Sequence, residues 1–166
     1  MIRVGIITAS DKGSKGERED QSGKVIQEMV EEKGFKVVEY VILPDERAQL
    51  SEMMKTWCDE KRVDLILTTG GTGFSKRDCT PEATLDIVEK QVPGIPEAMR
   101  YYSLQITPRA MLSRSAAGIR KDTLIINLPG SPKAVRENLE SIMGSLQHGI
   151  EILIGSASEC AMPDHK

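Results

Sequence analysis

Val63-Asp64-Leu65-Ile66-Leu67-Thr68-Thr69-Gly70-Gly71-Thr72-Gly73 runs from an apolar stretch with a β-branched residue at its centre into a glycine cluster, and Arg77-Asp78-Cys79-Thr80-Pro81-Glu82-Ala83 follows as a helix start. Read together, the two pieces are a buried strand, a turn and a helix. Gly70, Gly71 and Gly73 are free to take positive φ and bring bare N–H groups against an anion, and the Thr80-Pro81 start is expected to aim further N–H groups the same way. Asp78 would repel a polyphosphate unless a divalent cation lay between them, so the pattern points to Mg²⁺ shared by carboxylate and phosphate oxygens. The competing reading is a steric turn with a solvated aspartate. No Gly-Lys-Ser/Thr follows the glycines, which excludes a P-loop, and the dinucleotide fingerprint spacing is also absent.

Working outward, strands and helices alternate. Ile2 to Ala9 reads as a strand and Lys24 to Lys33 as a helix with Val25, Ile26, Met29 and Val30 on one face. Lys36 to Leu43 is a second strand. Leu50, Met53, Met54 and Trp57 then recur at helical spacing and are assigned to core packing. Asp64 to Thr69 is the third strand and residues 81–90 a helix. Val92-Pro93-Gly94-Ile95-Pro96 breaks the chain, Glu97 to Gln105 resumes as helix, and Ala110 to Arg120 is read as extended. Thr123 to Leu128 is another strand, and Ser131 caps a helix opened by Pro132. The expected fold class is α/β: a single three-layer αβα domain with a mainly parallel sheet, spanning 1–155, with a loosely held tail at 156–166.

In such sheets ligands bind beyond the carboxyl ends of the strands, where the strand order reverses. Four loops open there: the polar segment Ser10 to Gly23, then Pro44-Asp45-Glu46, then the cradle with Asp78, then Asn127-Leu128-Pro129-Gly130-Ser131. Asp45 is either a second ligand for the cation or the cap of a helix beginning at Glu46. Asp11 and Asp20 are either part of this polar edge or solvated loop charges, and Asn127 either a site residue or a partner for backbone groups.

The net charge of −3, scattered basic residues and 4% aromatic content speak against a nucleic-acid partner. Three cysteines without C-x-x-C spacing support neither disulfides nor a zinc ribbon and fit a reducing compartment. Cys79 has no histidine near it in sequence, the only ones being His148 and His165, and is read as an incidental thiol. No apolar run is long enough to span a membrane, so the protein is expected to be soluble and cytoplasmic.

The segments Thr68 to Gly73, Arg77-Asp78, Thr80 to Thr84, Met111 to Gly118 and Asn127 to Ala134 together closely resemble the MogA-like molybdopterin adenylyltransferases, the MoaB proteins and the G domain of gephyrin, over about Val4 to His148. The Ser10 to Gly23 loop resembles the family's Ser-Asp-x-x-Ser-x-Gly-x-x-x-Asp-x-Ser-Gly segment, with Lys12 where an Arg is frequent. The resemblance implies transfer of AMP from MgATP to the terminal phosphate of molybdopterin with release of pyrophosphate. It implies Asp45 and Asp78 as the catalytic pair serving Mg²⁺, and Gly70, Gly71, Thr72, Gly73, Gly130 and Ser131 at the nucleotide. Ser10, Ser113, Arg114 and Asn127 are implied at the second substrate, with Arg114 either a phosphate clamp or an ion pair. A homotrimer and a MoeA-like partner for molybdate insertion also follow from it. The alternatives are a MoaB-like pterin-binding paralogue with little catalysis and a trimeric assembly module.

Overall fold

β1 (Arg3–Ala9) and β3 (Leu65–Thr69) lie side by side, parallel and almost wholly buried, and the remaining strands add to either side of this pair. The computed structural model describes residues 1–156. β2 (Lys36–Leu43) pairs with β1 and β6 (Thr123–Leu128) with β3, all parallel, while β5 (Ala117–Arg120) and β4 (Lys90–Gln91) complete the far edge antiparallel. The order is β2-β1-β3-β6-β5-β4. It reverses between β1 and β3, which is where a ligand crevice is expected.

Side chains alternate across this sheet with the period of two that strands impose. Val4, Ile6, Leu65, Leu67, Leu124 and Ile126 pack on one face with α2 (Gln21–Glu32), α5 (Gly94–Leu104) and α6 (Pro132–Leu153). Ile7, Ile66 and Ile125 pack on the other with α3 (Arg47–Thr56), the π-helical turn Trp57–Lys61 that extends it, and α4 (Thr80–Leu85). Both faces are therefore covered, which is why β1, β3 and β6 read as nearly continuous apolar runs. This is the expected three-layer α/β domain.

Local boundaries differ where tertiary pairing or a cap decides them. The helix expected over 81–90 ends at Leu85, because Glu89 N bonds to Ile119 O and Lys90 enters the sheet beside it. Pro93 and Gly94 start α5 rather than break the chain, since Pro96 falls in the first turn, where a missing N–H costs no helical bond. Residues Pro108–Leu112 form a 3₁₀ turn capped by Thr107, so only Ala117–Arg120 of the stretch read as extended is strand. The loop after β1 holds a short helix, α1 (Asp11–Ser14), and α2 begins at Gln21, three residues early, because Asp20 caps it. Most of the tail expected from residue 156, with Cys160 and His165, lies outside the described residues.

Register sets the site. Thr8 pairs with Thr69 and Thr69 with Leu128, so the loops after β1, β3 and β6 leave the sheet from one line.

Candidate functional site

A cavity of about 710 Å³ opens along that line. Its floor is the glycine turn. Gly70 and Gly71 have φ of +89° and +69°, and a Cβ on Gly70 would run into Ala9 O, so both the conformation and the space require glycine. A Cβ on Gly71 would strike Thr80 Oγ1 and lie 3.1 Å from Asp45 Oδ1. Gly73 departs from expectation: its φ is not positive, and its N–H donates to Asp78 Oδ2 at 3.1 Å. Thr72 is buried, its carbonyl accepting from Arg114 N at 2.9 Å, and neither Thr72 nor Gly73 lines the cavity.

The start of α4 also contributes less than its sequence promised. Thr80 N already donates to Gly71 O at 3.1 Å, and Pro81 has no N–H. The helix ends that do reach the cavity belong to α6 and α2. Gly130, Ser131 and Pro132 line it, and Ser131 caps α6 through a 3.2 Å bond from Ala134 N. Ser22, in the first turn of α2, donates to Gly130 O at 2.6 Å and ties the two helix starts together. Their orphan amides and dipoles favour an anion.

Asp45 and Asp78 face this space from two other loops. Asp45 is not a helix cap, because that position belongs to Glu46, whose side chain makes no capping bond. Instead Asp45 and Asp11 hold each other: Asp11 N donates to Asp45 Oδ2 at 3.1 Å and Asp45 N to Asp11 Oδ1 at 3.0 Å. Asp11 is not a solvated charge either, since Arg77 donates to both its oxygens at 3.0 Å and holds its carboxyl below the usual aspartate value. Burial pushes the Asp45 carboxyl up, opposed by the Asp11 amide and reinforced by the charges of Asp11 and Asp78. Asp78 Oδ2 accepts from Gly73 N and from Ser75 N, the latter at 3.0 Å.

Among the described residues three buried side-chain oxygens have no partner: Asp45 Oδ1, Thr80 Oγ1 and, also on α4, Glu82 Oε2. A carboxylate oxygen without a donor beside a second carboxylate suits a hard cation. Among the described residues no three His, Cys, Asp or Glu are grouped to hold a metal ion; a Mg²⁺ carried in with phosphate and water would need only one or two carboxylates from the protein. The residues present therefore fit Mg²⁺ brought in with a polyphosphate.

Ser10 lines the cavity while its Oγ accepts from Gly13 N at 2.9 Å. Thr8, Arg18, Asp20, Ser22 and Thr69 also line it and were not singled out as site residues in the sequence. The hydroxyls at the ends of β1 and β3 were the available signal for Thr8 and Thr69. Asp20 is anchored rather than solvated: Oδ1 accepts from Gly23 N at 2.9 Å, and Oδ2 from Thr8 Oγ1 at 2.6 Å and from the Tyr40 hydroxyl. Burial, with that carboxylate next to it, pushes the Tyr40 phenol well above its usual value.

Ser113, Arg114 and Asn127 lie outside the cavity lining. Asn127 is fully buried, donating to Thr68 Oγ1 at 3.0 Å and Thr84 Oγ1 at 2.8 Å and accepting from Ala116 N at 3.2 Å. Of the two roles open in the sequence, the structure places it in the packing one. Ser113 bonds to the neighbouring Ser115 Oγ at 3.1 Å. Arg114 is turned onto protein carbonyls and Glu82. Cys79 has its thiol pushed up mainly by burial, which disfavours the thiolate a nucleophile needs. Among the described residues no helix is long and apolar enough to cross a membrane.

Residues 5–148 match the family described as "Probable molybdopterin binding domain". A molybdopterin adenylyltransferase of Helicobacter pylori is 46% identical over 157 residues, covering 93% of this chain and 89% of that protein. Gephyrin of Dictyostelium discoideum is 45% identical over 171 residues, covering 97% of this chain but 24% of that protein. Among solved structures, the molybdopterin biosynthesis enzyme MoaB of Thermus thermophilus superposes with a TM-score of 0.89 at 47% identity, covering 93% of this chain and 98% of that one.

Proposed function

The chain belongs to the molybdopterin-binding family that those matches define, and we propose that it is a molybdopterin adenylyltransferase acting in molybdenum cofactor biosynthesis. In this reading it moves AMP from MgATP to the terminal phosphate of molybdopterin and releases pyrophosphate. The observation that carries the reading is that Asp45 and Asp78 line one cavity together with the Gly70-Gly71 turn and two helix N-termini, with Asp45 Oδ1 buried and without a partner among the described residues.

The attacking group is already an anionic phosphate, so no activated side-chain nucleophile is required. What the protein must supply is alignment of two like-charged ligands and fixed positive potential where charge grows on the α-phosphate and the departing pyrophosphate. The Gly70-Gly71 turn allows close backbone approach, and the starts of α2 and α6 add oriented dipoles. Arg18, an exposed residue of the lining, adds a cation. Asp45 and Asp78 would hold Mg²⁺, which supplies charge neutralisation for the transferring group when bound. Ser10 and the mutual Asp11–Asp45 bonds keep the loops after β1 and β2 in register around it.

The relative named MoaB raises the second reading, a pterin-binding paralogue with little turnover. Presence of both aspartates in the cavity favours catalysis. A cytoplasmic location and a MoeA-like partner that accepts the product belong to the same proposal. So does a homotrimer, supported by exposed Tyr101, Leu104, Ile106 and Met111 on α5 and the turn after it, and checked by sedimentation equilibrium. The function is tested by a coupled pyrophosphate assay with MgATP and purified molybdopterin. Pyrophosphate release that requires the pterin is expected; release independent of it, or none, overturns the reading.

A further inference from the structure

Arg114 sits next to Ser113 in a segment distant in sequence from the cradle, yet all three of its guanidinium nitrogens are engaged by the loop that carries Asp78 and by the first turn of α4. Nε donates to Gly73 O at 2.7 Å, one Nη donates to Asp78 O at 3.1 Å, and the other pairs with Glu82 on α4. Its own N–H donates to Thr72 O at 2.9 Å. These bonds close a bridge from residue 72 to residue 82. Inside the bridge, Asp78 Oδ2 accepts from Gly73 N and Ser75 N, so the carboxylate's aim depends on where residues 73–75 are held.

The segment bearing Arg114 is itself fixed on both sides. Arg100, on α5, donates through Nη1 to Ser113 O at 3.3 Å and to Ser115 O at 3.1 Å. Asn127 accepts from Ala116 N just beyond. The guanidinium is thus delivered from a braced backbone to a loop whose residues Phe74, Ser75, Lys76 and Arg77 are exposed and which is otherwise tied outward through Arg77, bonded to Asp11 and Glu46.

We propose that Arg114 is a positioning residue for Asp78, acting through the Gly73 and Asp78 carbonyls, and is not a ligand for substrate phosphate. Only a planar fork reaches carbonyls and a carboxylate in different directions at once; an ammonium offers the same charge from a single point. The two roles therefore separate by substitution. A phosphate clamp needs the charge, so Arg114→Lys would keep much of it and Arg114→Gln would lose it. A brace needs the geometry, so both variants fail alike.

The proposal's catalytic meaning rests on the adenylyl-transfer reading, but its first test does not. Amide hydrogen exchange in the unliganded protein is expected to rise about tenfold at Gly73 and Ser75 in both Arg114→Lys and Arg114→Gln, the exchange rate following the local opening equilibrium. Glu82→Gln, which weakens one arm of the bridge, is expected to give a smaller rise at the same amides with an unchanged melting temperature. By calorimetry, affinity for metal-free ATP and for inorganic pyrophosphate stays as in wild type in all three variants, while the Mg²⁺ concentration needed for half-maximal pyrophosphate release rises and kcat falls more than KM changes. Unchanged exchange at Gly73 and Ser75 in Arg114→Lys overturns the proposal, as does loss of metal-free ATP affinity in Arg114→Gln that Lys restores. A wild-type protein that releases no pyrophosphate defeats the function reading alone, leaving the exchange result to decide this one.

Discussion

Replacing Gly71 by alanine tests the construction of the cradle, and Gly34→Ala is its internal control. Both glycines have left-handed backbone, with φ of +69° and +80°, so each alanine carries a conformational penalty of about 1–2 kcal/mol. Gly34 has nothing within 4 Å of the position its Cβ would take, and the penalty there is the whole effect. At Gly71 the new methyl meets Thr80 Oγ1, fully buried on α4, and comes within 3.1 Å of Asp45 Oδ1. Overpacking of this kind adds about 1–3 kcal/mol. In a domain of this size each kcal/mol moves the melting temperature by about 2–4 °C, so Gly34→Ala is expected to lose about 2–8 °C and Gly71→Ala clearly more. The second variant should also release pyrophosphate more slowly, since relief of the clash displaces either Thr80 or Asp45, whereas the first should keep wild-type rate. Thermal unfolding of both variants, followed by circular dichroism, supplies the comparison. Equal melting temperatures for the two would refute the close approach of Gly71, Thr80 and Asp45 on which the site rests.

Asp78→Asn is expected to lower adenylyl transfer by ~10²- to 10³-fold, about 3–4 kcal/mol of barrier, with the melting temperature unchanged; wild-type rate at saturating Mg²⁺ would remove Asp78 from the chemistry. Asp45 has a carboxyl held above the usual aspartate value, chiefly by burial, so the folded state binds its proton more tightly than the unfolded chain does. Ionised Asp45 therefore weakens the fold above its folded-state pKa and has no such effect below the unfolded one. Asp45→Asn should match wild-type stability in acid and equal or exceed it at pH 7, while turnover is lost; a lower melting temperature at pH 7 would show that the carboxylate stabilises the fold instead. Asn127→Ala should cost about 2–4 kcal/mol by denaturant titration, because it strands Ala116 N and the buried Thr68 hydroxyl and removes one partner of Thr84, which keeps its bond to Thr80 O, in addition to leaving a void. Loss of less than about 1 kcal/mol would mean the network is not what holds this corner.

The sheet was legible because β1, β3 and β6 are buried on both faces and leave continuous apolar runs that no other element explains. The glycine turn was legible for a similar reason, as Gly70 and Gly71 meet steric demands only glycine satisfies. What sequence spacing could not convey was how polar groups are already spent. Gly73 N goes to Asp78, Thr80 N to Gly71 O, and Asn127 to two threonines and a backbone amide. Each of these looked available in a linear reading. A solvated role stayed open for Asp11 and Asp20 because Arg77 and Tyr40 are distant in sequence. The sequence places helix dipoles at both α4 and α6; α6 brings its first turn to the cavity as expected, α4 spends Thr80 N on Gly71 O, and α2 adds an end the sequence did not signal, the loops being gathered by the pairing of β1, β3 and β6.

The most direct measurement of the central claim follows the α-phosphate. With ATP labelled at that position, Mg²⁺ and molybdopterin, the wild-type protein is expected to place the label on the pterin in amounts equal to the pyrophosphate released, and Asp78→Asn to place almost none. Label that stays in ATP, or that appears as free AMP whether or not molybdopterin is present, would contradict adenylyl transfer at this site.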